Sequence, residues 1–89
     1  MDIGALRDKI DRIDDELFRL LKERMALVKS IGDEKNKLGL TIKNEVREKE
    51  ILSRLLSSCE NDECKYIEGI YSEIFRQMRA LQEQKTSKI

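Results

Sequence analysis

The first 38 residues carry an apolar seam that no small globule can hold by itself. Apolar side chains recur in alternating steps of four and three at Leu6, Ile10, Ile13, Leu17 and Leu20, and again at Leu27 and Ile31. That spacing is one face of an α-helix. Asp2 stands where an N-cap belongs and Gly39 where a helix stop belongs, so the pattern predicts a single helix from about Ile3 to Leu38. At 1.5 Å per residue such a helix is about 54 Å long. A compact chain of 89 residues has a radius of gyration near 12 Å and a diameter of roughly 30 Å. Much of the seam therefore projects into water unless a second copy covers it, and an intertwined homodimer is the expectation. Gly32 lies inside the helix at a cost of about 1 kcal/mol relative to alanine; close packing, the approach of a ligand or a slight kink could each account for it.

The rest of the chain reads as helix too. It is 40% charged and 39% apolar, with no proline or tryptophan, and shows no strand-like alternation or hairpin turn pairs. A second helix is expected from about Asn44 to Leu56 and a third from about Glu63 to Gln84, with Asn61 or Asp62 as its cap. The third should bury Ile67, Ile70, Tyr71, Ile74, Phe75, Met78 and Leu81. The expected fold is all-α, with three helices per chain and a long first one, forming one domain over residues 1–84 and a polar tail over 85–89.

Eighteen basic and eighteen acidic residues cancel, so no overall field favours nucleic acid or a membrane surface, and any anion site must be local. No apolar run approaches a membrane span and no signal-peptide core is present, which points to the cytoplasm. In that compartment Cys59 and Cys64 are expected to stay reduced. Their spacing, in a chain without histidine, suits zinc poorly, and no metal site is expected. The missing histidine also removes His-based triads and the usual general base.

Polar residues interrupt the apolar stripes. Arg24 occupies a seam position between Leu20 and Leu27. Lys35 lies eleven residues on, about 16 Å along the axis and within about 20° of the same face. Asn44, Arg47 and Glu48 continue the stripe of Ile51 and Leu55, and Gln82 ends the line of Tyr71, Phe75 and Met78. Long charged side chains can snorkel out of a core, and Arg24 and Glu48 could simply bridge each other. The joint pattern of three cations, one carboxylate and two amides on the inward stripes of three helices points instead to an anionic ligand, because buried charge is costly unless paired. Arg7 lies about 25 Å up the axis from Arg24 and is rotated by about 100°. A partner chain's Arg7, rather than its own, could reach the same ligand.

These residues resemble the all-helical chorismate mutase family over nearly the whole chain. The resemblance rests on "LRDKIDRID" at Leu6–Asp14, "ER" at Glu23–Arg24, "GDEK" at Gly32–Lys35, "NEVRE" at Asn44–Glu48 and "ALQ" at Ala80–Gln82, in order and at the family's spacing. It implies an intertwined dimer with two equivalent sites that rearrange chorismate to prephenate without nucleophile, metal or cofactor. Carried over residue by residue, Arg24 and Arg47, with Arg7 from the partner, would grip the two substrate carboxylates. Lys35 and Gln82 would donate to the ether oxygen, and Glu48 would accept from the ring hydroxyl. A neutral Gln82 implies no acid-only activity profile. Asn44 stands where the family usually has Asp, and Met78 where a small hydroxyl residue is common. Two other readings share parts of the pattern: an isochorismate pyruvate-lyase of the same fold, and a helical dimerisation or regulatory module without chemistry, suggested by the heptad-like first helix.

Overall fold

Both ends of the first helix are closed by the residues that the sequence marks. In the computed structural model, which describes residues 2–86 and side chains as far as Glu83, α1 spans Ile3–Leu38. The Asp2 carboxylate accepts from the Gly4 N–H at 3.0 Å. Gly39 turns left-handed at φ 69°, its N–H donating to the Asn36 carbonyl at 3.3 Å, while the Leu40 N–H donates to the Lys35 carbonyl at 2.8 Å. This paired closure satisfies carbonyls that the last turn would otherwise leave open, and it needs a residue that tolerates positive φ.

The second helix, α2, spans Glu45–Leu56, and α3 spans Asn61–Thr86. Asn44 is the α2 cap rather than its first residue, its side-chain oxygen accepting from the Arg47 N–H at 3.0 Å. The third helix begins two residues earlier than its side-chain signals suggest. Neither Asn61 nor Asp62 caps it; the Glu60 carbonyl accepts from the Glu63 and Cys64 N–H groups, and Glu63 reaches back to the Glu60 N–H. At its other end α3 runs two residues into the stretch expected as a tail; the remainder of that tail, 87–89, lies outside the described residues.

Cys59 and Cys64 do not stay reduced: a disulfide joins them, with the Cα atoms 5.6 Å apart. The short turn between α2 and α3 brings the two backbones within the span such a bond requires.

Among the described residues α3 packs on both α1 and α2, whereas α1 and α2 do not pack on each other. Arg24 of α1 lies over the Phe75 ring and the Val28 carbonyl meets Gln82, so α1 and α3 run in the same direction there. The small core centres on Ile51, Phe75 and Met78. Ile70, expected inside, is 57% exposed; it lies on a face of α3 that neither neighbouring helix covers. The chain measures 54 × 27 × 14 Å with a radius of gyration of 16.3 Å, against about 12 Å for a compact chain of this size. Its long dimension is that of α1 itself. Every residue described before Leu21 is exposed, including Leu6, Ile10, Ile13, Leu17 and Leu20.

Because nothing lies within 4 Å of the position a Gly39 Cβ would take, only its backbone conformation resists substitution. Gly39→Ala should lower unfolding free energy by about 1–2 kcal/mol. Denaturant titration at fixed protein concentration measures it, and an unchanged midpoint contradicts this account of the helix stop.

Candidate active site

The gap between α1 and α2, floored by α3, is a cleft of about 280 Å³. From α1 it takes Arg24, Val28, Ile31 and Lys35, and from the connector Ile42 and Asn44. The second helix adds Arg47, Glu48 and Ile51, and the third adds Phe75, Met78, Arg79 and Gln82. Every candidate from the sequence except Arg7 therefore lines one cavity. Arg7 lies exposed near the start of α1, about 25 Å along the helix from Arg24, and the single chain does not bring it to the cleft.

Local structure explains how each side chain reaches the site. Lys35 belongs to the last turn of α1, and the connector folds back over it, so that its Nζ donates to the Ile42 carbonyl at 2.7 Å. Gln82 is buried, and its Nε2 donates to the Val28 carbonyl at 3.0 Å. Gly32 is what allows this approach. A Cβ there would stand 3.1 Å from the Gln82 Cγ, so of the three reasons open for Gly32, close packing applies. Arg24 reaches from α1 to the Phe75 ring of α3, its guanidinium carbon 6.0 Å from the centroid, and Tyr71 meets the same ring edge-on at 5.8 Å. The contact of cation and ring face is favourable and leaves the guanidinium N–H groups available. Asn44, by capping α2, fixes the turn from which Arg47 and Glu48 project.

Glu48 does not bridge to Arg24. Its Oε2 accepts from Arg79 Nη1 at 2.5 Å, and both side chains are about three-quarters buried. Arg79 is the cleft residue that sequence reasoning misses. The signal is present, since Phe75, Met78, Arg79 and Gln82 fall at i, i+3, i+4 and i+7 of one helical face. Reading that stripe as a single line through Met78 passes Arg79 by.

The cleft's electrostatics follow from this inventory. Four cations, Arg24, Lys35, Arg47 and Arg79, line it against one carboxylate, Glu48. Among the described residues neither Arg24 nor Arg47 makes an ion pair. On the exposed face of α3, by contrast, a hydrogen bond from Arg76 holds the Glu73 carboxyl down at about 2. In the cleft positive charge is left over beside the apolar surfaces of Val28, Ile31, Ile51 and Phe75. Such a lining suits a small, compact, multiply anionic molecule with an apolar body.

Comparison with known sequences decides the family, for the type II chorismate mutase model matches residues 6–83. The chain belongs to the type II chorismate mutases. It is 47% identical over 55 residues to a bifunctional chorismate mutase/prephenate dehydratase of Aquifex aeolicus and 39% identical over 57 residues to a chorismate mutase of Methanocaldococcus jannaschii. These stretches cover 62% and 64% of this chain, but only 15% and 58% of those relatives. The structure of a chorismate mutase from Thermus thermophilus superposes with a TM-score of 0.86 at 36% identity, covering 91% of this chain and 93% of that one. Membership of this family accounts for the all-helical architecture and for the order of the motifs along the chain.

The Gly32–Gln82 contact has a measurable consequence. In Gly32→Ala the gain in helix propensity, about 1 kcal/mol, is offset by crowding against Gln82, so thermal stability should change little. A crystal structure of the variant should show the Gln82 amide shifted away from the Val28 carbonyl. An undisturbed hydrogen bond would mean that Gly32 does not set the position of Gln82.

Proposed function

We propose that the protein is a chorismate mutase acting as a homodimer, which rearranges chorismate to prephenate on the way to phenylalanine and tyrosine. The observation that carries the reading is the unbalanced positive charge of the cleft in a chain of this family. Chorismate bears two carboxylates on a small ring system, and so supplies the charge and the size that the cleft lacks.

In the reaction an ether C–O bond breaks while a C–C bond forms within one molecule. No proton need be transferred and no covalent intermediate with the enzyme is required, so the reaction calls for neither cofactor nor metal. What an enzyme can add is restriction to the compact reactive conformer and stabilisation of the negative charge that grows on the ether oxygen. Arg24 and Arg47 are assigned to the carboxylates, which suits the forked geometry of guanidinium. Lys35 and Gln82 are assigned to the ether oxygen. The Lys35 ammonium keeps two N–H groups beyond the one spent on Ile42, so it can donate without leaving its present position. The bond to Val28 orients the Gln82 amide before substrate arrives. Donors fixed in advance need little reorganisation during the reaction. Glu48 is assigned to the ring hydroxyl. Asn44 shapes the site through its cap and Met78 through its apolar surface.

The dimer belongs to the same proposal. The uncovered seam of α1 would pack against a second chain, and the partner's Arg7 would add a further cation to each cleft. No helix among the described residues is long and apolar enough to cross a membrane, and we place the enzyme in the cytoplasm.

Purified protein should convert chorismate to prephenate and should sediment at twice the chain mass of 10.5 kDa. Lys35→Ala and Gln82→Ala should each lower kcat by about 10²–10³-fold, while Arg24→Ala should mainly raise KM. Because a neutral amide donates at any ordinary pH, activity should hold between pH 6 and 8. Release of pyruvate from isochorismate in place of prephenate formation, or a folded dimer inert to both compounds, would overturn the assignment.

A further inference from the structure

Arg79, bound to Glu48, is the one cleft cation left without a role above, and the surroundings of the pair suggest why it exists. Unlike the exposed pairs along single helices, such as Arg19–Glu16 and Arg76–Glu73, it ties α2 to α3 across 31 residues and lies in the cleft. Glu48 is the one carboxylate lining a cavity that also holds Arg24, Lys35 and Arg47. A carboxylate with freedom to turn in such company would fold onto the nearest of those cations, where it would neutralise the charge that an incoming dianion needs. Arg79 removes that freedom. Its guanidinium holds Oε2 and leaves Oε1 as the acceptor that can face a ligand hydroxyl. The contact runs from one nitrogen to one oxygen, so it restrains the carboxylate without occupying both of its oxygens.

We infer that Arg79 is a positioning residue: it holds Glu48 away from Arg24, Lys35 and Arg47, keeping those cations open to the substrate carboxylates and Glu48 open to the ring hydroxyl. This inference rests on the mutase reading and adds a residue to it. Arg79 acts through Glu48 and not by touching substrate, and that indirectness is what can be tested.

The test is steady-state turnover of chorismate by the full chain, its Arg79→Gln, Arg79→Lys and Glu48→Gln variants, and the double variant Glu48→Gln/Arg79→Gln. Arg79→Gln should raise KM about tenfold with a smaller loss in kcat, because the released carboxylate competes with the substrate for the same cations. Arg79→Lys, which keeps a charged donor on a shorter side chain, should recover part of that loss. In the Glu48→Gln background the Arg79→Gln change should have almost no further effect, since no carboxylate remains to be held. A purely structural tie would show as lost helical signal or a lower melting temperature, shared by Glu48→Gln, with KM unchanged, and would overturn the inference. Equal effects of Arg79→Gln in both backgrounds would show that Arg79 contacts substrate directly, and would overturn the inference. So would unchanged kinetics of Arg79→Gln beside an active parent protein, a result that leaves the mutase reading standing. No turnover by the parent protein would overturn both.

Discussion

The apolar seam of α1 has nothing of its own chain to lie against over its first half, and much else follows from that. Five large aliphatic side chains between Leu6 and Leu20 are exposed in the single chain. Fully burying each is worth roughly 1.5–3 kcal/mol, a sum comparable with the net stability of an ordinary domain. A helix that could be shortened would avoid this exposure. Here the length is fixed at both ends, by the Asp2 cap and by the left-handed turn at Gly39. That turn also starts the connector that folds over Lys35. Helix length, the uncovered seam and the position of one site cation are thus consequences of the same 36 residues.

Architecture also explains how a chain of zero formal net charge comes to hold a strongly cationic cleft. The three helices do not close on one another: α3 contacts both neighbours, and α1 and α2 remain apart. The gap receives the inward stripes of all three. On outer faces some acidic and basic residues three or four apart pair with one another, as Arg19 does with Glu16 and Glu23. Along the inward stripes the acidic partners are missing, except Glu48. Charge is balanced over the molecule and unbalanced in the cleft. That imbalance would be a defect in a purely structural helical bundle, because it lowers stability with nothing to offset it. In the proposed site for a small dianion it would supply binding and, through the donors assigned to the ether oxygen, catalysis.

How much of this can be read from residues alone depends on the kind of signal. The ends of α1 are legible because Asp2 and Gly39 are strong local signals lying next to a long periodic run. The start of α3 is less so, since its first carbonyl acceptor is the backbone of Glu60, and a backbone group leaves no mark in a sequence. Arg24, Lys35, Arg47, Glu48 and Gln82 stand out as polar residues on apolar stripes, and all five line the cleft. Arg79 does not stand out because it neighbours Met78 on a broad face and looks like one more surface arginine; only the fold of α2 against α3 reveals its carboxylate. The Cys59–Cys64 bond is likewise a matter of backbone approach across a turn, which spacing alone does not specify. The reason for Gly32 required seeing what approaches it. Sequence pattern marks which residues face inward, while the pairing among them is a tertiary property.

In the proposed dimer each functional cleft combines Arg24 of one chain with Arg7 of the other. Mixing two impaired variants tests it most directly. If Arg7→Ala and Arg24→Ala chains are unfolded together and refolded at equal concentration, each mixed dimer should contain one cleft with both arginines and one with neither. With random pairing, turnover at low chorismate concentration should return to about a quarter of the wild-type level, although either variant refolded alone stays nearly inactive there. Activity of the mixture no greater than the mean of the two variants would contradict a site shared between chains.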